Sequence, residues 1–247
     1  MLEGLRTAAA GMQAQQQKLD AVSNDLANAN TDGYKRLRTG FSDLLYERGG
    51  RPTTSDNAQL GAGSRLVNIG RTFEQGNLRE TGDPLNVGLE GEGFIRVKLS
   101  DGRQALTRDG DLHVDAMGRL VTNSGGFVQP QITIPTGVTQ SQISIAQDGT
   151  VLAAGQNVGK IALATVRSPS NLESVGGTNA FVTNARSGNA VAAPAATVIK
   201  QGTLEASNTD VASSMTDMIE AQRAYQLTSK AIQTADQMME IANGVKR

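Results

Sequence analysis

Hydrophobic residues spaced seven apart at both ends of the chain constrain its fold more than any other feature. From residue 2 to about residue 30 there is no proline, and glycine occurs only at Gly4 and Gly11. Leu5, Met12, Leu19 and Leu26 recur every seven residues, and Ala8, Gln15, Val22 and Ala29 follow each of them by three. This is the a/d pattern of a helix that buries one narrow seam. Asn30, Thr31, Asp32 and Gly33 then interrupt it, with Gly33 placed for a left-handed cap. The far end repeats the design. After the cap candidates Ser207, Asn208, Thr209 and Asp210, the positions Val211, Met218, Tyr225, Ile232 and Met239 recur every seven residues. Their offset partners Ser214, Ala221, Thr228, Ala235 and Ala242 are all small. At ~1.5 Å per residue, a helix over 209–243 extends roughly 50 Å.

Between these ends the pattern changes. Residues 70–206 carry short apolar runs, such as 93–99, 131–134 and 143–145, punctuated by the turn pairs Asp101-Gly102, Asp109-Gly110, Met117-Gly118 and Asp148-Gly149. Alternation interrupted by such turns predicts a β-rich middle built of hairpins. Residues 34–69 are less regular and read as an extended or hairpin linker. Within them, 48–55 reads as a loop tip. In the β-rich span, 184–197 reads as another exposed loop. The expected class is therefore α+β. Helices from 1–33 and 207–247 pair as a coiled coil, with a mostly-β middle inserted between them.

A helix with one narrow apolar seam is marginal alone in water, because nucleation is costly. The two ends share one repeat, so packing them together is the simplest solution. On the second helix, Met215 and Ile219 widen the apolar surface beyond what one partner covers. Left wet, such a surface favours aggregation. Contacts with other copies are therefore expected, and head-to-tail contacts that do not close into a ring generate a helical filament. The assembly surface expected on these grounds comprises Leu5, Met12, Leu19, Val22, Leu26, Val211, Met215, Met218, Ile219, Tyr225, Ile232 and Met239. A helix pair that merely caps the chain's own β domain fits the periodicity equally well.

Chemistry for catalysis or ligand binding is not evident. The 23 Lys and Arg balance 24 Asp and Glu, so no strong field recruits nucleic acid or an anionic membrane. With no cysteine there are no disulfides, thiolate ligands or Cys nucleophiles. The one histidine, His113, has no Gly-x-Ser-x-Gly partner motif. Asp109, Asp111 and Asp115 have calcium-like spacing, but Val114 and Leu120 stand where a calcium loop needs Gly and Glu. Gly88, Gly91 and Gly93 lack the following helix and the Lys of a phosphate loop. Lys35, Arg36 and Arg38 form a short basic cluster, expected as the solvated flank of the first helix, with an ion-pair role between subunits as the alternative. No catalytic, cofactor or metal residue is assigned. The first residues show neither a basic start nor a continuous apolar stretch, so a cleaved signal peptide is not expected.

Residues 21–36 resemble the N-terminal signature of the bacterial flagellar rod and hook family, through Asn24, Leu26, Ala27, Asn28, Thr31, Gly33 and Lys35. Residues 202–243 resemble that family's C-terminal helix. Residues 75–78, 91–94 and 106–110 resemble its middle domain. The likeness spans nearly the whole chain, with its motifs in order. It implies a structural subunit without enzymatic activity or cofactor, exported by the flagellar type III apparatus. It further implies a hollow helical drive shaft in the basal body that transmits torque, passes export substrates and has paired terminal helices as its innermost layer. The implied partners are other copies, other rod and hook subunits, the export apparatus and rings around the rod, with no nucleic acid or small-molecule substrate. Residues 41–46 and 128–135 look most like the distal-rod branch of the family. That branch usually carries a longer insertion after Tyr46, which keeps the proximal-rod branch open. A glycan-binding or hydrolytic β domain with dimerisation helices is the reading from a different class.

Overall fold

The computed structural model describes residues 2–44, 47–48, 59–60, 63–176 and 179–244; the expected loop tip at 48–55 lies almost wholly outside them. The chain forms two compact units. One comprises Met1–Ala27, Leu37–Ile69 and Asp210–Arg247, and the other comprises Asn28–Arg36 and Gly70–Thr209.

The first unit holds helix α1 (Leu2–Ala27) and helix α2 (Val211–Gly244), which lie alongside each other. Asp210 caps α2, its carboxylate accepting the backbone N–H groups of Ala212 and Ser213 at 3.3 and 3.2 Å. Such a cap satisfies donors that the first helical turn leaves unpaired. A two-stranded ribbon, Leu37–Asp43 paired with Ser64–Arg71, and the short pair of Glu47–Arg48 with Gln59–Leu60 accompany the helices. The ribbon joins α1 where Asp25 accepts the Leu37 N–H at 3.1 Å. It also does so at Gly63, where an added Cβ would come within 3.1 Å of the Ala10 Cβ. Isolated hairpins are marginal in water; the helix anchors this one at those two points, while its Phe41 and Ile69 stay exposed.

The second unit is β-rich. Its main sheet is nine-stranded, and one path runs through Glu173–Ser174, Ala180–Val182, Gln104–Thr107, Phe94–Lys98, Phe127–Val128, Leu120–Thr122 and Leu112–Val114. Leu163–Thr165 branches from Phe94–Lys98 and carries Val191–Ala192 at its outer side. A three-stranded meander over Ile143–Ile145, Thr150–Ala153 and Gln156–Lys160 stands beside it. Two further pairs join Val198–Gln201 to Val87–Glu90 and Thr203–Glu205 to Leu78–Glu80.

Successive side chains on a strand point to opposite faces, and the central strands use both. Ile95, Val97, Ala105 and Ala180 enter the larger core with Leu89, Val128, Ile132 and Ile161. Their neighbours Phe94, Leu106 and Phe181 enter a smaller core on the other face. This is why these strands read as short continuous apolar runs. Each fully buried side chain of this size stabilises the fold by about 1.5–3 kcal/mol.

Candidate functional site

On α2 the seven-residue pattern marks the covered side from Ser214 onward, whereas its first member, Val211, is exposed. Ser214 and Ala221 are buried, and Met218, Tyr225, Ile232 and Met239 are half-buried. Small residues at these offset positions allow a second backbone to approach closely. On α1, Leu5, Met12, Leu19 and Leu26 are half-buried and Val22 is buried. Lys18 of α1 meets Glu220 of α2 at 3.5 Å, a surface pair of small energetic weight. Asn24 and Ala27 lie exposed on α1. Sequence periodicity missed a second covered flank of α1. Ala14 and Asp25 are its most buried residues, and Lys18 rests over the Phe41 ring at 5.9 Å. Alanine and aspartate carry no signal in a hydrophobic stripe, so this flank was not legible.

A different side of α2 is bare. Val211, Met215 and Ile219, at spacings of four, are 42%, 51% and 52% exposed. Leu227, Met238 and Ile241 are also exposed. At 3.6 residues per turn, the two groups fall on opposite sides of the covered stripe. The sequence reading set Met215 and Ile219 beside the repeat but placed Val211 within it, and it did not name the second group.

The β-rich unit contains a buried ionic cluster assembled from segments far apart in sequence. Lys35, at 0% exposure, pairs with the Glu205 carboxylate and also donates to the Glu74 carbonyl at 2.8 Å. The second oxygen of Glu205 accepts from Arg108 at 3.0 Å, and the first also accepts the Gly76 N–H at 2.8 Å. Arg108 donates to the Gly91 carbonyl at 2.8 Å and lies over the Phe94 ring at 5.5 Å. Burial holds the Lys35 amine below its ordinary value, Glu205 offsets part of that, and Arg108 lowers it further. Lys35 is thus no solvated flank: it is an internal counter-charge. Arg36 is half-buried, its N–H donating to Asn208 at 2.8 Å, whereas Arg38 is exposed.

The surrounding motif residues shape this cluster. Thr31 donates its hydroxyl to the Asn28 side chain at 3.2 Å. Gly33 adopts a positive φ of 69°, but its N–H goes to the Glu205 carbonyl at 2.7 Å. It lies beyond the end of α1 and ties the chain to the β unit. A Cβ there would meet the backbone nitrogen of Asp109 at 2.7 Å and the carbonyl carbon of Arg108 at 2.8 Å. Gly33→Ala is therefore expected to destabilise the β unit by at least about 1–2 kcal/mol, the penalty of the left-handed backbone alone. A thermal unfolding midpoint unchanged from wild type would contradict this.

His113 lies exposed on the strand Leu112–Val114, and Asp109 and Asp115 organise turns by accepting the N–H groups of Asp111 and Met117. Among the described residues, no group of three or more His, Cys, Asp or Glu could hold a metal ion, and no helix is long and apolar enough to cross a membrane.

Three family descriptions match the chain in order. "Flagella basal body rod protein" covers residues 5–35. "Flagellar hook protein FlgE/F/G D1 domain" covers 88–153. "Flagellar basal body rod FlgEFG protein C-terminal" covers 200–245. The chain is similar to the flagellar basal-body rod protein FlgG of Borreliella burgdorferi, 38% identical over 265 aligned positions covering 100% of both chains. It is 39% identical to the Caulobacter vibrioides protein of the same name, covering 99% of this chain and 100% of the relative. The Bacillus subtilis protein of that name is 33% identical, with 100% of both covered. The 265 aligned positions exceed the 247 residues here, so the Borreliella relative has residues that this chain lacks.

Proposed function

The chain belongs to the flagellar basal-body rod family as a structural subunit of the distal rod, and we propose that it builds that rod through its terminal helices. In this reading α1 and α2 pair as a coiled coil, with Leu5, Met12, Leu19, Val22 and Leu26 set against Met218, Tyr225, Ile232 and Met239. Residues 1–33 and 207–247 act as the assembly domain, 34–69 as a linker region and 70–206 as the β-rich middle. The polymer is a hollow helical shaft that transmits torque and passes export substrates. Its partners are other copies and the rod and hook subunits next to it, with the export apparatus and surrounding rings as further contacts. The role is structural and not catalytic.

One observation carries this proposal: Val211, Met215 and Ile219 stay exposed on a helix whose other side is already covered. Covering each such side chain is worth about 1.5–3 kcal/mol, so a row of them rewards association. A contact of this kind between non-identical faces extends as a helix when its rotation does not close into a ring.

Ile232→Asp places a charge in the covered stripe, and Ile219→Asp places one on the bare side. Both are expected to abolish rod incorporation and motility while leaving the unfolding of the β unit unchanged. Normal rods in cells carrying either variant would contradict the corresponding surface.

A further inference from the structure

The seam of α2 does not by itself select which residue of α1 each of its residues faces. Met218, Tyr225, Ile232 and Met239 are large, and Ser214, Ala221, Thr228 and Ala235 are small. On α1, Leu5, Met12, Leu19 and Leu26 repeat in the same way. Sliding one helix along the other by seven residues, ~10 Å, exchanges large for large and small for small. A seam of this kind needs a separate feature to fix its register. The register is nevertheless definite. Lys18 meets Glu220 at 3.5 Å, the two lying equally far from Ala27 at the end of α1 and Val211 at the start of α2. That surface pair is too weak to hold the alignment alone.

The feature lies just before α2. Asn208 is one of the four cap candidates in the sequence, yet Asp210 makes the cap. The Asn208 side chain is used elsewhere. It accepts the Arg36 N–H at 2.8 Å and donates to the Thr72 and Glu74 carbonyls at 2.7 and 3.2 Å. Its backbone N–H donates to the Tyr34 carbonyl at 3.4 Å. The Thr72 N–H donates to the Arg36 carbonyl at 3.0 Å. Arg71 donates to the Lys35 carbonyl at 2.6 Å, its guanidinium over the Tyr34 ring at 5.3 Å. One clasp, all of it within the β-rich unit, thus ties the stretch that leaves α1, the stretch that follows the ribbon and the stretch that leads into α2. A side-chain amide suits this place because it both accepts and donates.

We propose that Asn208 is a positioning residue that sets the register of α2 against α1. This rests on the helix pairing of the rod-assembly reading and adds to it what selects one alignment among similar ones. With Asn208 released, residues 206–210 reach up to ~17 Å when straightened, on the scale of the ~10 Å that a slip of one repeat requires. Such a slip carries Met215 and Ile219 along the seam by the same distance and misaligns the bare face that assembly uses.

The chain has no cysteine, so a short bis-maleimide can read the register. Glu220→Cys is combined with Lys18→Cys, which reports the observed alignment, or with Gly11→Cys, which faces position 220 only after α2 slips outward by one repeat. A Cβ at Gly11 meets nothing within 4 Å. Each double variant is copolymerised with excess cysteine-free chain, so that links form within one molecule. The 18–220 link is expected to exceed the 11–220 link by at least ~10-fold, and Asn208→Ala to make the two yields comparable. Asn208→Ala is also expected to raise the concentration needed for polymerisation by ~10-fold, and a preformed 18–220 link to restore it. Val151→Ala, which opens a cavity in the larger β core, is expected to leave the ratio of links unchanged. An unchanged ratio in Asn208→Ala, or an equal shift in Val151→Ala, overturns the role of Asn208 alone. Absence of both links when Asn208 is intact overturns the helix pairing and this role with it.

Discussion

Replacing Glu205 with glutamine is expected to lower the unfolding free energy of the β-rich unit by about 3–5 kcal/mol. The carboxylate stands between the Lys35 ammonium and the Arg108 guanidinium, and all three are essentially sealed from water. Glutamine keeps the shape but removes the negative charge, leaving two like charges together in a low-dielectric interior. Breaking a buried pair is costly mainly because the abandoned charge stays desolvated. Here two are abandoned. Glu205 also accepts the Gly76 N–H, and the backbone carbonyl of the same residue accepts the Gly33 N–H, so the lost charge lies where three segments are joined. Lys35→Met is expected to cost much less, since it leaves Arg108 and Glu205 as a neutral pair. Urea titrations of the two variants provide the comparison, and equal midpoints for Glu205→Gln and wild type would show that the cluster contributes no net stability.

The same cluster shows where sequence reading stops. Lys35 and Glu205 are separated by 170 positions, and nothing local distinguishes a lysine destined for the interior from one on a wet flank. The helices were legible because a repeat declares its buried side within a few turns: α1 runs from Leu2 and α2 ends at Gly244, close to the expected limits. The strand expected over 93–99 appears as Phe94–Lys98. The one expected over 131–134 does not form. Ile132 and Ile134 are buried, but only Thr133 bridges to Arg119. Pro130 and Pro135 flank that run and have no N–H to donate, which ends a ladder on both sides. Within the expected loop at 184–197, Val191 and Ala192 pair as a short strand and Ser187 is buried. The bare rows on α2 were half legible: Met215 and Ile219 stand beside the repeat, whereas Leu227, Met238 and Ile241 depart from it. The heptad rule describes a helix with one partner, and residues outside its register need the structure to show that they are uncovered.

Asp109→Asn is expected to stabilise the β-rich unit at neutral pH and to have no such effect in acid. Burial raises the Asp109 carboxyl from its ordinary 3.8 to about 6, and the nearby Asp111 and Asp32 carboxylates push in the same direction. The Asp111 N–H, which donates to Asp109 at 3.0 Å, opposes them only in part. Because the folded value lies above the unfolded one, the folded state holds this proton more tightly. Below about pH 4 both states are protonated and the carboxyl imposes no ionic penalty. Between about pH 4 and pH 6 the unfolded chain loses the proton first, so stability falls as pH rises, and it levels off above about pH 6. A rise from 3.8 to about 6 corresponds to about 3 kcal/mol at neutral pH. Asparagine keeps an oxygen for the Asp111 N–H and never ionises. The difference in unfolding free energy between Asp109→Asn and wild type should therefore grow from near zero at pH 3.5 to its full value by pH 7. Parallel stability curves across that range would mean that Asp109 ionises as freely in the fold as in the open chain.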